Sequence, residues 1–403
     1  MKKQHIAIYN PYLETKGGGE KVCLAMAEYL SKSNTVTLIS RKKIDLSELG
    51  TYFSLDLSHC KHEVLAGSDN FVTKVARRLH FPSRLNSFVH EFFDYRTLKK
   101  KNYDVFINNC YKSGMPCPAP SGVYMCMFPQ QFNHVKDRFA RRAYHAVIDI
   151  IELIAYGKKG LSVIRTYDHI TVNSDYTKGW EKKLWGLGDD DVEILYPICE
   201  DMRTPNAKKE KVIMNVGRFF ANSGENHYKC QDKLLDTFKE MTDLHEKGWR
   251  LVLAGSVAED IDSLKYIIKL YESARDFPVD IITSAPFPLL KSYFAKSSIY
   301  WHATGWGSDP EKHPEKQEHF GITTVEAMSA GAVPIVIDTA GQKETLTEGK
   351  SGYRWLTKEQ LLDRTRKVAN DENLMNKLSK SAVTESKRYS KEAFEKSLAQ
   401  ILG

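Results

Sequence analysis

The chain has 403 residues and a mass of 46.0 kDa, more than one ordinary hydrophobic core organises, so two domains are expected. Its 42% hydrophobic and 27% charged residues are those of a globular protein, and no apolar run is long enough to span a bilayer. The net charge of +7 is uneven: residues 1–170 hold 25 Lys and Arg against 15 Asp and Glu, and residues 171–403 hold 33 against 36, so the first half is expected to meet an anionic membrane surface or an acidic substrate.

The N-terminus runs straight into a short strand and lacks the apolar core and cleavage site of a signal peptide. The seven cysteines (Cys23, Cys60, Cys110, Cys117, Cys126, Cys199 and Cys230) are scattered without a CxxC pair. A cytoplasmic location with reduced thiols, and no structural zinc, is the expectation.

Residues 5–10, 35–40, 103–108, 123–128 and 169–174 read as short apolar strands, with helices over 19–32 and 139–156, and 192–197 closes the series. That alternation implies α/β architecture with a doubly wound parallel sheet. The first strand leads into Gly17, Gly18 and Gly19, where backbone N–H groups opening a helix can cradle a phosphate. The simpler reading is a flexible turn, since this is neither GxGxxG nor a P-loop. Basic residues gather at Arg77–Arg78, at Lys99–Lys101, and around the 139–156 helix as Arg138, Arg141, Arg142, Lys158 and Lys159. That helix fits either an anionic bilayer or a core with a solvated basic face, and periodicity does not separate the two. Asp189, Asp190 and Asp191 read as a solvated turn.

A polar stretch over 199–210 containing Pro205 reads as a linker. A second series follows, with strands over 212–217, 250–255, 279–283, 298–303 and 333–338 and helices over 234–247 and 261–274. Two such units facing across a cleft would bind ligands at the C-terminal ends of their strands. Gly217 and Arg218 follow one strand end, and Lys229 precedes a helix. Two fixed cations there suit a diphosphate leaving group, against the usual fate of surface charge.

Glu318, His319, Phe320, Gly321, Ile322, Thr323 and Thr324 lead to Glu326, eight positions after the first carboxylate. Gly321 permits close backbone approach. Thr323 or Thr324 is expected to cap a helix whose N–H groups suit a diphosphate, with Glu326 in its first turn beside a ribose. A plain capping box explains Thr323 and Glu326 but not Glu318 or Phe320–Gly321. His302, at a strand end, and His313 form no metal-ligand spacing with His319.

On Glu318-x7-Glu326 with Phe320–Gly321, Gly217–Arg218 with Lys229, the loop Gly17–Gly19 and Leu195–Tyr196–Pro197, the chain resembles the retaining family-four glycosyltransferases with the GT-B fold. The resemblance implies two Rossmann-like domains, residues 1–200 with a returning helix over 387–403 for the acceptor and 201–386 for the donor. It implies a nucleoside-diphosphate hexose as donor (UDP- or GDP-linked), a glycan or lipid-linked acceptor in cell-surface polysaccharide synthesis, and no cofactor or metal. Arg218, Lys229 and Glu318 would be catalytic. Gly18, Gly19, Gly217, Phe320, Gly321, Ile322, Thr323 and Glu326 would bind the donor. Many members carry a histidine where Met127 stands here, so Met127, Gln130 and His134 are only acceptor-side candidates. A GT-B enzyme with a soluble acceptor and a non-catalytic nucleotide- or glycan-binding protein remain alternatives. Nucleic acid is not an expected partner, because the basic residues lack a recognition motif.

Overall fold

The computed structural model describes residues 3–65, 73, 78, 83–132, 139–222, 228–257 and 260–403. The chain divides into two compact units, one of Met1–Tyr196 with Glu395–Gly403, the other of Pro197–Phe394. Among the described residues, no helix is long and apolar enough to cross a membrane.

The first unit is built on seven strands: β1 (His5–Tyr9), β2 (Thr35–Ser40), β3 (Cys60–Val64), β4 (Val105–Asn108), β5 (Ser121–Cys126), β6 (His169–Val172) and β7 (Glu193–Ile194). All pair in parallel, in the order β3-β2-β1-β4-β5-β6-β7. Ile6 and Ile8 of β1 and Val36 and Leu38 of β2 are buried, as a sheet covered by helices on both faces requires. Helices Gly18–Ser31, Leu46–Phe53, Ser83–Leu98, Phe139–Tyr156 and Asp175–Trp185 belong to this unit. Ser174 caps the last of them, accepting from the Thr177 amide at 3.1 Å. Beneath the loops after β1 and β4, Arg41 and the Tyr9 hydroxyl both donate to buried Asp94, at 2.9 and 2.7 Å.

The second unit repeats the plan with β8 (Glu210–Val216), β9 (Arg250–Gly255), β10 (Val279–Thr283), β11 (Ser297–His302), β12 (Val333–Ile337) and β13 (Tyr353–Trp355). Their order is β10-β9-β8-β11-β12-β13, again all parallel. Trp249, Trp301, Trp355 and Phe238 fill the core. The Trp301 indole donates to Thr365 Oγ1 at 3.0 Å, so its polar edge is satisfied within the apolar interior. In each sheet the chain reverses direction of winding once, between β1 and β4 and between β8 and β11.

Several elements depart from the sequence expectation. β3 and β13 lie at sheet edges, one carrying polar residues and the other only three residues long, and neither shows a strand pattern. The helix expected over 234–247 is two, Gln231–Lys239 and Thr242–His245. It breaks at Met241 (φ −100°, ψ 47°), whose side chain turns into the core. The final helix is Lys391–Leu402, because Lys387–Tyr389 forms a 3-10 turn that buries Tyr389, its hydroxyl bonded to the Glu344 carbonyl at 2.8 Å.

The ends of β8 and β9 approach so closely that a Cβ on Gly255 would sit 2.0 Å from the Gly217 carbonyl oxygen. Gly255→Ala is therefore expected to destabilise the protein by about 1–3 kcal/mol, as overpacking against backbone does. An unchanged urea midpoint in the variant would contradict this packing.

Candidate functional site

In open parallel sheets the crevice where strand order reverses lies at the C-terminal strand ends. In the second unit, β8 ends into Gly217 and Arg218 there, and β11 ends in His302. Gly217 is glycine for a local reason: a Cβ would meet Lys229 Cγ at 2.7 Å. The Lys229 stem therefore lies flat on the backbone and its ammonium reaches Glu318 Oε2 at 2.7 Å. Gln231 Nε2 holds the loop by donating to the Gly217 and Arg218 carbonyls, at 3.0 and 3.2 Å.

Glu318 receives more than Lys229. His302 Nε2 lies 3.1 Å from the same Oε2, and Thr304 Oγ1 lies 3.4 Å from it and 3.2 Å from His302 Nε2. Burial works against charge on Glu318, but Lys229 and the His302 bond outweigh it and hold the carboxyl well below the usual carboxylate range. Burial lowers the affinity of His302 for a proton, against the opposing pull of Glu318. At neutral pH the pair is a carboxylate and a neutral imidazole, with the proton on Nε2 facing the carboxylate.

The segment after Glu318 is clamped by the turn following β12. The Gly341 amide donates to the Glu318 carbonyl at 3.0 Å, and a Cβ on Gly341 would sit 2.0 Å from the His319 carbonyl oxygen. Gln342, fully buried, accepts from Thr324 Oγ1 at 2.9 Å and fills the space where Gly321 has no side chain. Gly321 takes φ 107°, a conformation that glycine alone adopts without strain. Phe320 packs edge-on against Tyr389.

The helix is Ile322–Ser329, with Gly321 at its N-cap. The expectation that Thr323 or Thr324 caps it is therefore corrected, and Glu326 lies in the second turn rather than the first. The left-handed glycine turns the chain into the helix two residues earlier than a threonine cap would. No capping box forms, because Thr323 Oγ1 accepts from the Tyr300 hydroxyl at 2.7 Å. The Ile322 and Thr323 amides at the helix start receive no backbone acceptor among the described residues. Glu326 is buried at 6% exposure.

In the first unit, Gly17 caps the Gly18–Ser31 helix, and its amide donates to Glu20 Oε2 at 2.7 Å. A Cβ on Gly19 would meet the Met127 methyl at 2.9 Å, so the glycine loop and Met127 are direct neighbours. Asn109 Nδ2 donates to the Gly19 carbonyl at 3.1 Å, joining this loop to the one after β4. Gln130 is tied by its Nε2 to the Ser113 carbonyl at 3.4 Å, while its own carbonyl accepts from Trp185 at 2.8 Å. His134 lies outside the described residues. All seven cysteines are thiols.

Two of the residues gathered on Glu318, His302 and Thr304, and the clamp of Gly341 and Gln342, were not among the expected site residues. A histidine ending an apolar strand was the only signal for the first.

Two parallel α/β units, each with its own switch point, are the architecture of the GT-B fold, and the comparisons with known proteins support it. Residues 200–384 match the family described as glycosyl transferases group 1. The GDP-Man:Man(3)GlcNAc(2)-PP-Dol alpha-1,2-mannosyltransferase of Xenopus laevis is 24% identical over 377 residues, covering 85% of this chain and 74% of that protein. The alpha-1,3/1,6-mannosyltransferase ALG2 of Debaryomyces hansenii is 26% identical over 363 residues, covering 77% and 72%. The fold matches that of Anabaena Alr3699/HepE in complex with UDP and glucose (TM-score 0.66, 13% identity, 99% of both chains). It also matches WaaG, a glycosyltransferase involved in lipopolysaccharide biosynthesis (TM-score 0.63, 13% identity, 99% of both chains). The second unit thus matches the group 1 glycosyl transferases, and the chain as a whole is similar to these mannosyltransferases.

The two titrations at the site act in separate pH windows. The His302 value lies below the ordinary 6.5, so its buried neutral ring stabilises the fold above that pH, and this contribution is lost as pH falls. The Glu318 contribution, from a lowered value, is lost only in stronger acid. Between about pH 7.5 and about pH 5.5, wild type is expected to lose more stability than His302→Gln. Urea midpoints at the two pH values test this, and parallel losses would contradict it.

Proposed function

We propose that the chain transfers a hexose from a UDP- or GDP-linked donor to a lipid-linked glycan acceptor with retention of anomeric configuration. The observation that carries this reading is the Lys229–Glu318 pair at the switch point, 2.7 Å apart, immediately before the open start of the Ile322–Ser329 helix. A carboxylate held ionised there accepts hydrogen bonds from sugar hydroxyls. Arg218, Lys229 and the Ile322 and Thr323 amides face the charge that develops on a departing diphosphate. Glu326 takes the ribose hydroxyls.

In the transfer, the bond from the anomeric carbon to the phosphate oxygen breaks and its electron pair leaves with the nucleotide. The acceptor oxygen bonds the same face of that carbon, and its proton passes to the departing phosphate. No metal is required in this scheme, since fixed cations and amides carry the charge. The relatives support the substrate classes: one is named for GDP-Man and a PP-Dol-linked glycan, and both are named mannosyltransferases. This reading makes the protein a cytoplasmic enzyme working at the inner membrane face.

The test is nucleotide release from a panel of UDP- and GDP-sugars, GDP-mannose first, with membrane lipid extract as acceptor source. One donor is expected to turn over, unaffected by EDTA. Arg218→Ala and Lys229→Ala are each expected to slow it about 10²–10³-fold, the loss seen when one preorganised charge partner is removed. Glu318→Ala is expected to abolish it. Release that EDTA abolishes, or that survives Glu318→Ala, would overturn the proposed site. Tight donor binding without turnover would favour a non-catalytic binding protein.

A further inference from the structure

The Phe139–Tyr156 helix of the first unit is amphipathic in the reverse of the usual sense. Its polar residues point inward. His145, Asp149 and Glu152 converge on Arg84, whose guanidinium lies 2.7 Å from His145 Nδ1, 3.3 Å from Asp149 Oδ1 and 3.2 Å from Glu152 Oε1. Both acids of the helix thereby share one guanidinium on its inner side. The outer side carries Phe139 at 84% exposure, Val147 at 54%, Ile150 at 57%, Leu153 at 49% and Ile154 at 80%. With the small exposed residues Ala143 and Ala146 they form one continuous apolar stripe at helical spacing.

Large apolar side chains in a contiguous exposed row mark a surface that is covered in use. The charges around this row favour one kind of cover. Arg142 is exposed near the start of the helix, and Lys158 and Lys159 stand exposed just past its end. Asp149, the nearest acid, is held by Arg84 and lies 3.9 Å from the Lys159 ammonium. A pocket of about 670 Å³ opens beside the same helix, its apolar wall made by Phe132, Phe139, Leu184 and Trp185 and its polar edge by Arg142, with His145 and the Arg84-bound Asp149. An apolar row edged by cations, next to an apolar slot, matches acyl chains below anionic headgroups.

We infer that the outer face of the Phe139–Tyr156 helix docks on an anionic lipid bilayer, inserting Val147, Ile150, Leu153 and Ile154 among the acyl chains. The inference deepens the reading of a lipid-linked acceptor, on which its biological sense rests, by naming the surface that meets the lipid. Its geometry stands on the first unit alone.

Flotation of the purified full-length protein with vesicles tests it. Vesicles of phosphatidylcholine alone are compared with vesicles containing phosphatidylglycerol, at low and high salt. The protein is expected to float with the anionic vesicles and to be partly released by salt. Ile150→Glu with Ile154→Glu is expected to lower the bound fraction about tenfold or more, because each places a charge among acyl chains. Both positions are exposed, so the thermal midpoint of the double variant should equal that of wild type. No flotation with anionic vesicles, or equal flotation of the double variant, would overturn the inference. A wild-type dimer that the double variant dissociates would also overturn it, assigning the face to a second copy of the chain. Vesicle binding and donor turnover are read separately, so failure of the catalytic reading leaves its own trace.

Discussion

The candidate site depends on backbone coming closer to backbone and to side-chain stems than any Cβ allows. Gly217 lets the Lys229 stem lie against the end of β8, and Gly255 lets the two strand ends meet. Gly341 and Gly321 let the Glu318–Gly321 segment nest against the turn after β12. Only with all four approaches in place do Lys229 and Glu318 meet at 2.7 Å with both side chains about one-fifth exposed. Two charges so far withdrawn from water are tolerated because each has the other, and because His302 and Thr304 occupy the remaining directions around Glu318 Oε2. The ion pair follows from the glycines, and the shape of the crevice follows from the pair.

That dependence explains what was legible in the sequence. The Glu318–Glu326 block reads clearly because its constraint is local: a left-handed glycine, a helix start and two carboxylates within nine residues. The two sheets read clearly because buried parallel strands are continuous apolar runs. His302 was visible only as a polar residue ending such a run, since its partner lies sixteen residues on, beyond an irregular loop. Gln342 was invisible for the same reason, at twenty-one residues from Gly321. The helix start was misplaced because threonine is a good cap by propensity, while here Gly321 has already turned the chain and Tyr300 has claimed the Thr323 hydroxyl. Tertiary partners decided both, and propensity does not see them.

The Phe139–Tyr156 helix shows the opposite limit. Its apolar periodicity was evident, but periodicity gives a face without saying which side of the protein it meets. Arg84 settles the matter, fifty-five residues before the helix begins. By drawing His145, Asp149 and Glu152 to the inside it leaves the apolar residues outside. Burying those three groups without Arg84 would cost more than the helix gains from its other inward residues, so the orientation is fixed by one guanidinium.

The pairing of a lowered Glu318 with a neutral His302 also constrains the chemistry. A protonated His302 would compete with Lys229 for the carboxylate and place a second cation beside it. Burial prevents this, since a charged imidazole at 2% exposure has little water to solvate it. The carboxylate therefore keeps one full counter-charge, Lys229, and two neutral partners, His302 and Thr304, all on Oε2. Lys229 in turn is held by Glu318 at 2.7 Å. The same contact that keeps Glu318 ionised thus holds the Lys229 ammonium beside the end of β8, with its stem against Gly217.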